Sequence, residues 1–262
     1  EADLEIAQDF ANMVSLGYAR FLDFQRLEAE GRERAKEAAL QRIRAEVASM
    51  SSSDDIGRII AIALREARDL GVDTTCAIAV VIHEETETIE EYMALLSQSR
   101  FNDEGLGSIS EISNWAPAVA DIIDGYDLYR SDRPFLEGEQ TLGYWRSGMP
   151  QFVDYEDTDA GKRQMQNWIE NQYGIKIPVE WLARRAMIAP FSHGILCISS
   201  INPEALGDSE LGISQDFAHM VSLGYARFLD FQTLEEQNRA MSDANKELYE
   251  VNRELQRERA VE

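Results

Sequence analysis

Along residues 215–235 the apolar positions Phe217, Val221, Gly224, Phe228 and Phe231 are spaced by four, three, four and three. That spacing lays one stripe down an α-helix, and Met220, Leu223 and Leu234 line a second flank. A helix apolar on two flanks is packed on both. One flank is expected to cover its own domain and the other to meet a neighbour, such as a second copy of the chain. The pattern occurs twice. Residues 8–28, QDFANMVSLGYARFLDFQRLE, return at residues 215–235 as QDFAHMVSLGYARFLDFQTLE, differing at Asn12/His219 and Arg26/Thr233. The second copy starts 207 residues after the first (215 minus 8), so the 262 residues hold one full repeat and roughly a quarter of another, like a slice of a tandem array. Gly17 and Gly224 sit on the stripe at a cost of roughly 1 kcal/mol each relative to Ala. A missing side chain there lets two backbones approach.

Downstream the stripe becomes a heptad. Leu234, Met241, Leu248 and Leu255 recur every seven residues; Asn238, Asn245 and Asn252 stand four positions after the first three, with Arg259 after the last. With the Leu/Met series at d, asparagine occupies three successive a positions. In a parallel two-stranded coil each such Asn bonds its mate across the seam, fixing register and chain number at a cost in stability. The expectation is a parallel homodimer held through Phe217, Val221, Gly224, Phe228 and Phe231 and continuing through the heptad; a solitary solvated helix is the alternative. After the first copy the phase is lost, since the same seam would place Gly31 and Arg34 inward, and apolar order resumes only with Leu40, Ile43, Val47 and Met50. A helix unbroken from Asp9 to Met50 would reach about 60 Å at ~1.5 Å per residue and join two domains end to end.

Between the helical ends lies a body long enough for one domain with a real core. Ser51-Ser52-Ser53-Asp54-Asp55 is predicted to break the long helix and cap the next, whose apolar face is Ile56, Ile59, Ile60, Ala63, Leu64 and Ala67 and which ends at Gly71. Residues 75–83 and 89–96 read as strands joined by an acidic hairpin tip. The middle, 101–148, mixes Gly, Asp, Pro and aromatics with weaker helical patches. A strand is predicted over 151–155, a helix over 160–173, and a closing hairpin from 186–189 and 194–200 that turns at Ser192-His193-Gly194; Asp208 and Ser209 cap the repeated helix.

Composition narrows the function classes. Against 25 basic residues stand 48 acidic ones, and a net charge of −23 with no basic stripe argues against nucleic-acid or anionic-membrane partners. No apolar run approaches the ~20 residues that span a bilayer, and a cytoplasmic location is expected. Cys76 and Cys197 lie in apolar strand-like runs, as buried reduced thiols do. His83, His193 and His219 are scattered over a strand end, a hairpin tip and a helix face. Neither a Gly-rich phosphate loop, a nucleophile elbow nor zinc spacing is present, so the chain reads as non-catalytic, without metal or cofactor.

Three stretches carry a resemblance to a known family: the strand 75–83, the hairpin Met187-Ile-Ala-Pro-Phe-Ser-His-Gly-Ile-Leu-Cys-Ile198, and the helix from Asp216 to Leu229 running into its linker. In this order the chain resembles the GAF domains, small sensor modules strung along bacterial signalling proteins, over roughly residues 51–235. The resemblance implies an α/β (α+β) fold with a central antiparallel sheet flanked by helices, and long terminal helices forming a coiled coil. It divides the chain into 1–28, the terminal helix of a preceding repeat; 29–50, a helical linker; 51–224, the sensor domain; and 225–262, the terminal helix continuing as a signalling coil. The Asn-Lys…Phe…Asp-Glu signature of the cyclic-nucleotide members is absent, and strand alternation buries Cys197 away from a bilin-attachment role.

A small-molecule ligand, if one is taken, is expected in the variable middle, where Trp115, Tyr126, Tyr129, Arg130, Tyr144, Trp145, Arg146 and Trp181 concentrate amphipathic aromatics and cations. The bland alternative makes these aromatics core and lets Arg130 and Arg146 answer neighbouring acids. The function that follows is a signal-transmitting module of a two-component-type protein, with a helical spine passing a rotation or register shift to an output domain. A small-molecule receptor with incidental dimerisation and a ligand-free spacer repeat are the alternatives.

Overall fold

In the computed structural model, which describes residues 2–52, 55–96, 122–123, 126–174, 177–179 and 182–261, a seven-stranded antiparallel sheet lies between two layers of helices. The elements are helices α1 (Ala2–Ala48) and α2 (Asp55–Asp69) and strands β1 (Cys76–His83), β2 (Thr88–Leu96), β3 (Ile122–Ile123) and β4 (Tyr126–Pro134). There follow α3 (Glu139–Ser147), β5 (Gln151–Asp154), α4 (Asp159–Tyr173), β6 (Arg185–Phe191), β7 (Gly194–Ser200) and α5 (Asp208–Val261). The sheet order is β3-β4-β2-β1-β7-β6-β5. This is the α+β architecture the sequence pointed to: a central antiparallel sheet, helices on both faces, and a long helix at each end.

Central β1 explains its own sequence. It is apolar at nearly every position because both of its faces are covered. Register separates the faces: Ala77, Ala79 and Val81 share one side with Tyr92, Ala94, Leu196 and Ile198, whereas Ile78, Val80 and Ile82 share the other with Met93, Glu91, Ile89, Ile195 and Cys197. On the first side lie α2, the second half of α1 through Ala39, Ile43 and Val47, and the start of α5 through Phe217, Val221, Tyr225 and Phe228. On the second side lie α3 and α4, with Leu142, Trp145 and Tyr173 turned inward. The Ser-rich break works as a cap: the Asp55 carboxylate accepts from the Ser51 and Ser52 amides at 2.7 and 2.9 Å.

Two sequence expectations change. The middle contains strand β4, paired along its length with β2 from Thr88↔Pro134 to Leu96↔Tyr126, where only helical patches were expected. Asp127, Arg130, Asp132 and Arg133 hide its alternation, and pairing to a buried neighbour overrides local propensity there. The second change concerns the dimer seam. Phe217, Val221 and Phe228 are 0, 3 and 3% exposed and Gly224 is buried against α1, so the chain's own core occupies these four positions and withdraws them from a seam between chains. Phe231, Leu234, Asn238, Met241, Asn245, Leu248 and Asn252 remain exposed; the Leu255 side chain lies outside the described residues. Likewise Leu40, Ile43, Val47 and Met50, the apolar order after the first copy, pack into the domain. Among the described residues, no helix is long and apolar enough to cross a membrane.

Candidate functional site

The two long helices meet each other beside the sheet. Lys36, Arg44 and Val47 of α1 touch Asp216, Met220 and Gly224 of α5 in the same order, so the two helices run parallel. The Lys36 ammonium lies 2.5 Å from the Asp216 carboxylate. A Cβ on Gly224 would stand 2.1 Å from a methyl of Val47, which identifies this glycine as the point of closest helix approach. The α1 helix is keyed to α2 by Arg42, whose guanidinium donates from Nε and Nη2 to the Glu66 carboxylate at 2.8 and 2.5 Å; Glu66 is 1% exposed. A carboxylate that deep needs such a partner to offset the loss of its water.

The α5 helix is held to the β6–β7 turn. The hydroxyls of Ser192 and Ser222 are 2.7 Å apart, and the His193 ring meets Tyr225 edge-on at 5.4 Å. Burial, with the Glu90 carboxylate adding to it, pushes the Tyr225 phenol up to about 12. The sheet therefore carries α5, and α1 packs beside α5 and α2.

A buried polar cluster on the opposite face was not foreseen. Glu91 accepts from Arg133 Nε at 3.2 Å and from the Tyr173 hydroxyl at 3.0 Å, while Arg133 also donates to Thr141 at 3.1 Å and to the Glu137 carbonyl. Burial, then the adjacent Glu91 charge, hold the Tyr173 phenol well above its ordinary value. The cluster ties β2, β4, α3 and α4 together. Its signal was available: two adjacent acids, Glu90-Glu91, inside an otherwise apolar strand require buried cationic partners.

The aromatic and cationic ligand candidates do not converge. Tyr126 and Arg130 lie on the α2 side of β4, with Arg130 paired to Glu90 and its guanidinium 5.6 Å from the Tyr92 ring. Tyr129 points to the other side, where it meets Tyr173 edge-on at 6.5 Å. On α3, half-buried Tyr144 accepts from Gln140 at 2.7 Å, Trp145 donates to the Phe191 carbonyl at 3.1 Å, and Arg146 is exposed. Trp115 and Trp181 lie outside the described residues. The sheet itself separates the members that are described.

Both cysteines are free and buried, and burial pushes the Cys76 thiol up to about 12, far from a reactive thiolate. His83 bonds Glu90 at 3.2 Å, His193 packs on α5, and His219 is exposed. Among the described residues no cluster of His, Cys, Asp and Glu has the makings of a metal site.

No family model matches the chain, and no curated protein matches it. Among solved structures, the chain is similar to the GAF domain of a phosphoenolpyruvate-protein phosphotransferase from Acinetobacter, at 13% identity and a TM-score of 0.40, over 72% of this chain and 92% of that one. It is similar to the phycocyanobilin-bound GAF domain of a cyanobacterial phytochrome, at 13% identity and a TM-score of 0.41, over 74 and 94% of the two chains. It is also similar to a bacteriophytochrome from the photosynthetic bacterium R. palustris, at 10% identity and 0.41, over 80% of this chain and 40% of that one.

Proposed function

We propose that this chain is a non-catalytic, signal-transmitting sensor module that works as a parallel homodimer. It passes a conformational change along a helical spine toward an output domain of the same polypeptide. The observation that carries the reading is the parallel packing of α1 against α5, with Gly224 on Val47 at their closest approach. Past its last buried residue, Phe228, α5 continues to Val261, and Asn238, Asn245 and Asn252, the a positions of the heptad, are exposed. A coil with polar a positions changes packing for a few kcal/mol, the scale on which a bound ligand shifts a two-state equilibrium. In this reading residues 1–28 close a preceding sheet of the same kind, because their counterparts at 208–235 close this one.

Light scattering over a concentration series tests the reading. A particle of twice 29.7 kDa supports it, and a monomer at every concentration removes it. Replacing Asn238, Asn245 and Asn252 by Ile should raise the melting temperature and tighten the dimer; an unchanged melt would mean that no seam exists at these positions.

A further inference from the structure

The duplicated helix is a controlled experiment within one chain: the same residues stand on a sheet in one copy and in solvent in the other. Most apolar positions change with that context. Phe217, Val221, Tyr225 and Phe228 are buried, and their counterparts Phe10, Val14, Tyr18 and Phe21 are more than half exposed. Three pairs do not change. Leu16 and Leu223 are 58 and 53% exposed, Phe24 and Phe231 are 59 and 52%, and Leu27 and Leu234 are 61 and 57%. Docking onto a sheet thus leaves these three untouched, although each is large, apolar and identical in both copies. Their cover must come from outside the domain.

At ~100° per residue, Leu223, Phe231 and Leu234 fall within one arc of about 80°, and Met241 and Leu248 of the heptad prolong the same arc. Arg227, kept as Arg20, falls in the same arc and is exposed. A segment that closed the domain would have to meet the heptad too; only a second copy of this helix supplies the matching repeat along the whole arc. We propose that the flank Leu16–Phe24–Leu27 and Leu223–Phe231–Leu234 is the seam between two parallel copies of this chain. The stripe through Phe217 and Phe228, and its counterpart through Phe10 and Phe21, faces sheets and stays out of the seam. This assignment rests on the dimeric reading above and adds which residues meet.

Single cysteines introduced at exposed sites test it, with buried Cys76 and Cys197 left in place. Under mild oxidation, Leu27→Cys and Leu234→Cys should each cross-link to its own mate, because parallel register brings identical residues within the ~7 Å that a disulfide tolerates. Gln232→Cys, on the opposite side of the helix, should cross-link roughly tenfold less, since its Cα atoms stand beyond that reach. A dimer that cross-links at Gln232→Cys as readily as at Leu234→Cys, or not at all at Leu27→Cys, overturns the seam while leaving the dimer intact. A chain that is monomeric by light scattering overturns the dimeric reading instead. The double variant Phe10→Glu/Phe21→Glu should leave both mass and cross-linking unchanged; dissociation would mean that the uncovered sheet-facing stripe holds the dimer, and the seam assignment would fall.

Discussion

Residues 8–28 and 215–235 share all but two side chains, yet Phe10 is 67% exposed while Phe217 is 0%, and Phe21 is 53% against 3% for Phe228. Both segments are helical throughout. Helix formation is therefore a property of the segment, and burial is a property of what the segment meets. The second copy meets the β6–β7 face and Val47; the described part of the first meets solvent. What stays the same between them is the exposure of the flank through Leu16/Leu223 and Leu27/Leu234.

The comparison is broken most severely at the large aromatics. Phe217→Ala or Phe228→Ala should cost about 3–5 kcal/mol, as for a fully buried Phe. Phe10→Ala and Phe21→Ala should stay within about 0.5 kcal/mol. Urea denaturation of the four variants reads this directly, and equal losses in both copies would show that α1 is covered in solution.

The glycine pair should give effects of opposite sign. At Gly224 an added Cβ runs into Val47, so Gly224→Ala is expected to destabilise by about 1–3 kcal/mol through overpacking. At Gly17 nothing lies within 4 Å of the added Cβ, and Gly17→Ala should stabilise its helix by about 0.5–1 kcal/mol. Helicity at 222 nm and the thermal midpoint measure the two. A destabilising Gly17→Ala would place a backbone against the first copy as well.

Charged residues of α1 sharpen the contrast between its docked and undocked parts. Arg42→Ala strips a buried Glu66 of a bidentate partner and should cost about 1–3 kcal/mol. Arg26→Ala, which removes ion pairs to Asp23 and Glu30 from an exposed surface, should cost about 0–0.5 kcal/mol.

A modest, pH-dependent effect concerns how the docked copy begins. Burial would raise the Glu210 carboxyl, but hydrogen bonds from the Ser209 hydroxyl and from its own and the Gly207 backbone amides outweigh it and lower its pKa. A carboxylate lowered in the folded state contributes stability above its unfolded pKa of about 4.3 and loses it as pH falls through the folded value. Glu210→Gln should therefore lose about 0.5–1 kcal/mol at pH 7. The deficit should shrink toward zero on acidification below the folded pKa. A deficit independent of pH would assign the loss to packing.

Much of the fold was legible because its elements carry strong local signals. The apolar run of β1, the hairpin turning at Ser192-His193-Gly194, the Ser/Asp cap of α2 and the repeated stripe all appear where their patterns placed them. The strand β4 was not legible, since its charged residues make sense only against Glu90 and Glu91 of the neighbouring strand. The aromatic ligand candidates shared a sequence neighbourhood and little else. With Tyr126 and Tyr129 three residues apart on one strand, alternation sends them to opposite faces of the sheet.

By itself the sequence determined that residues 8–28 and 215–235 are helices with two apolar flanks, because a 3.6-residue period is written in the spacing of the side chains. It also determined the Asn-bearing heptad that follows. Which flank is spent on the domain's own core was decided only by the tertiary structure, since two neighbouring stripes of similar hydrophobicity look alike until a sheet and Val47 take one of them. The same holds for the buried charges: Glu66 and Glu91 acquire meaning only when Arg42 and Arg133, on other elements, are folded against them.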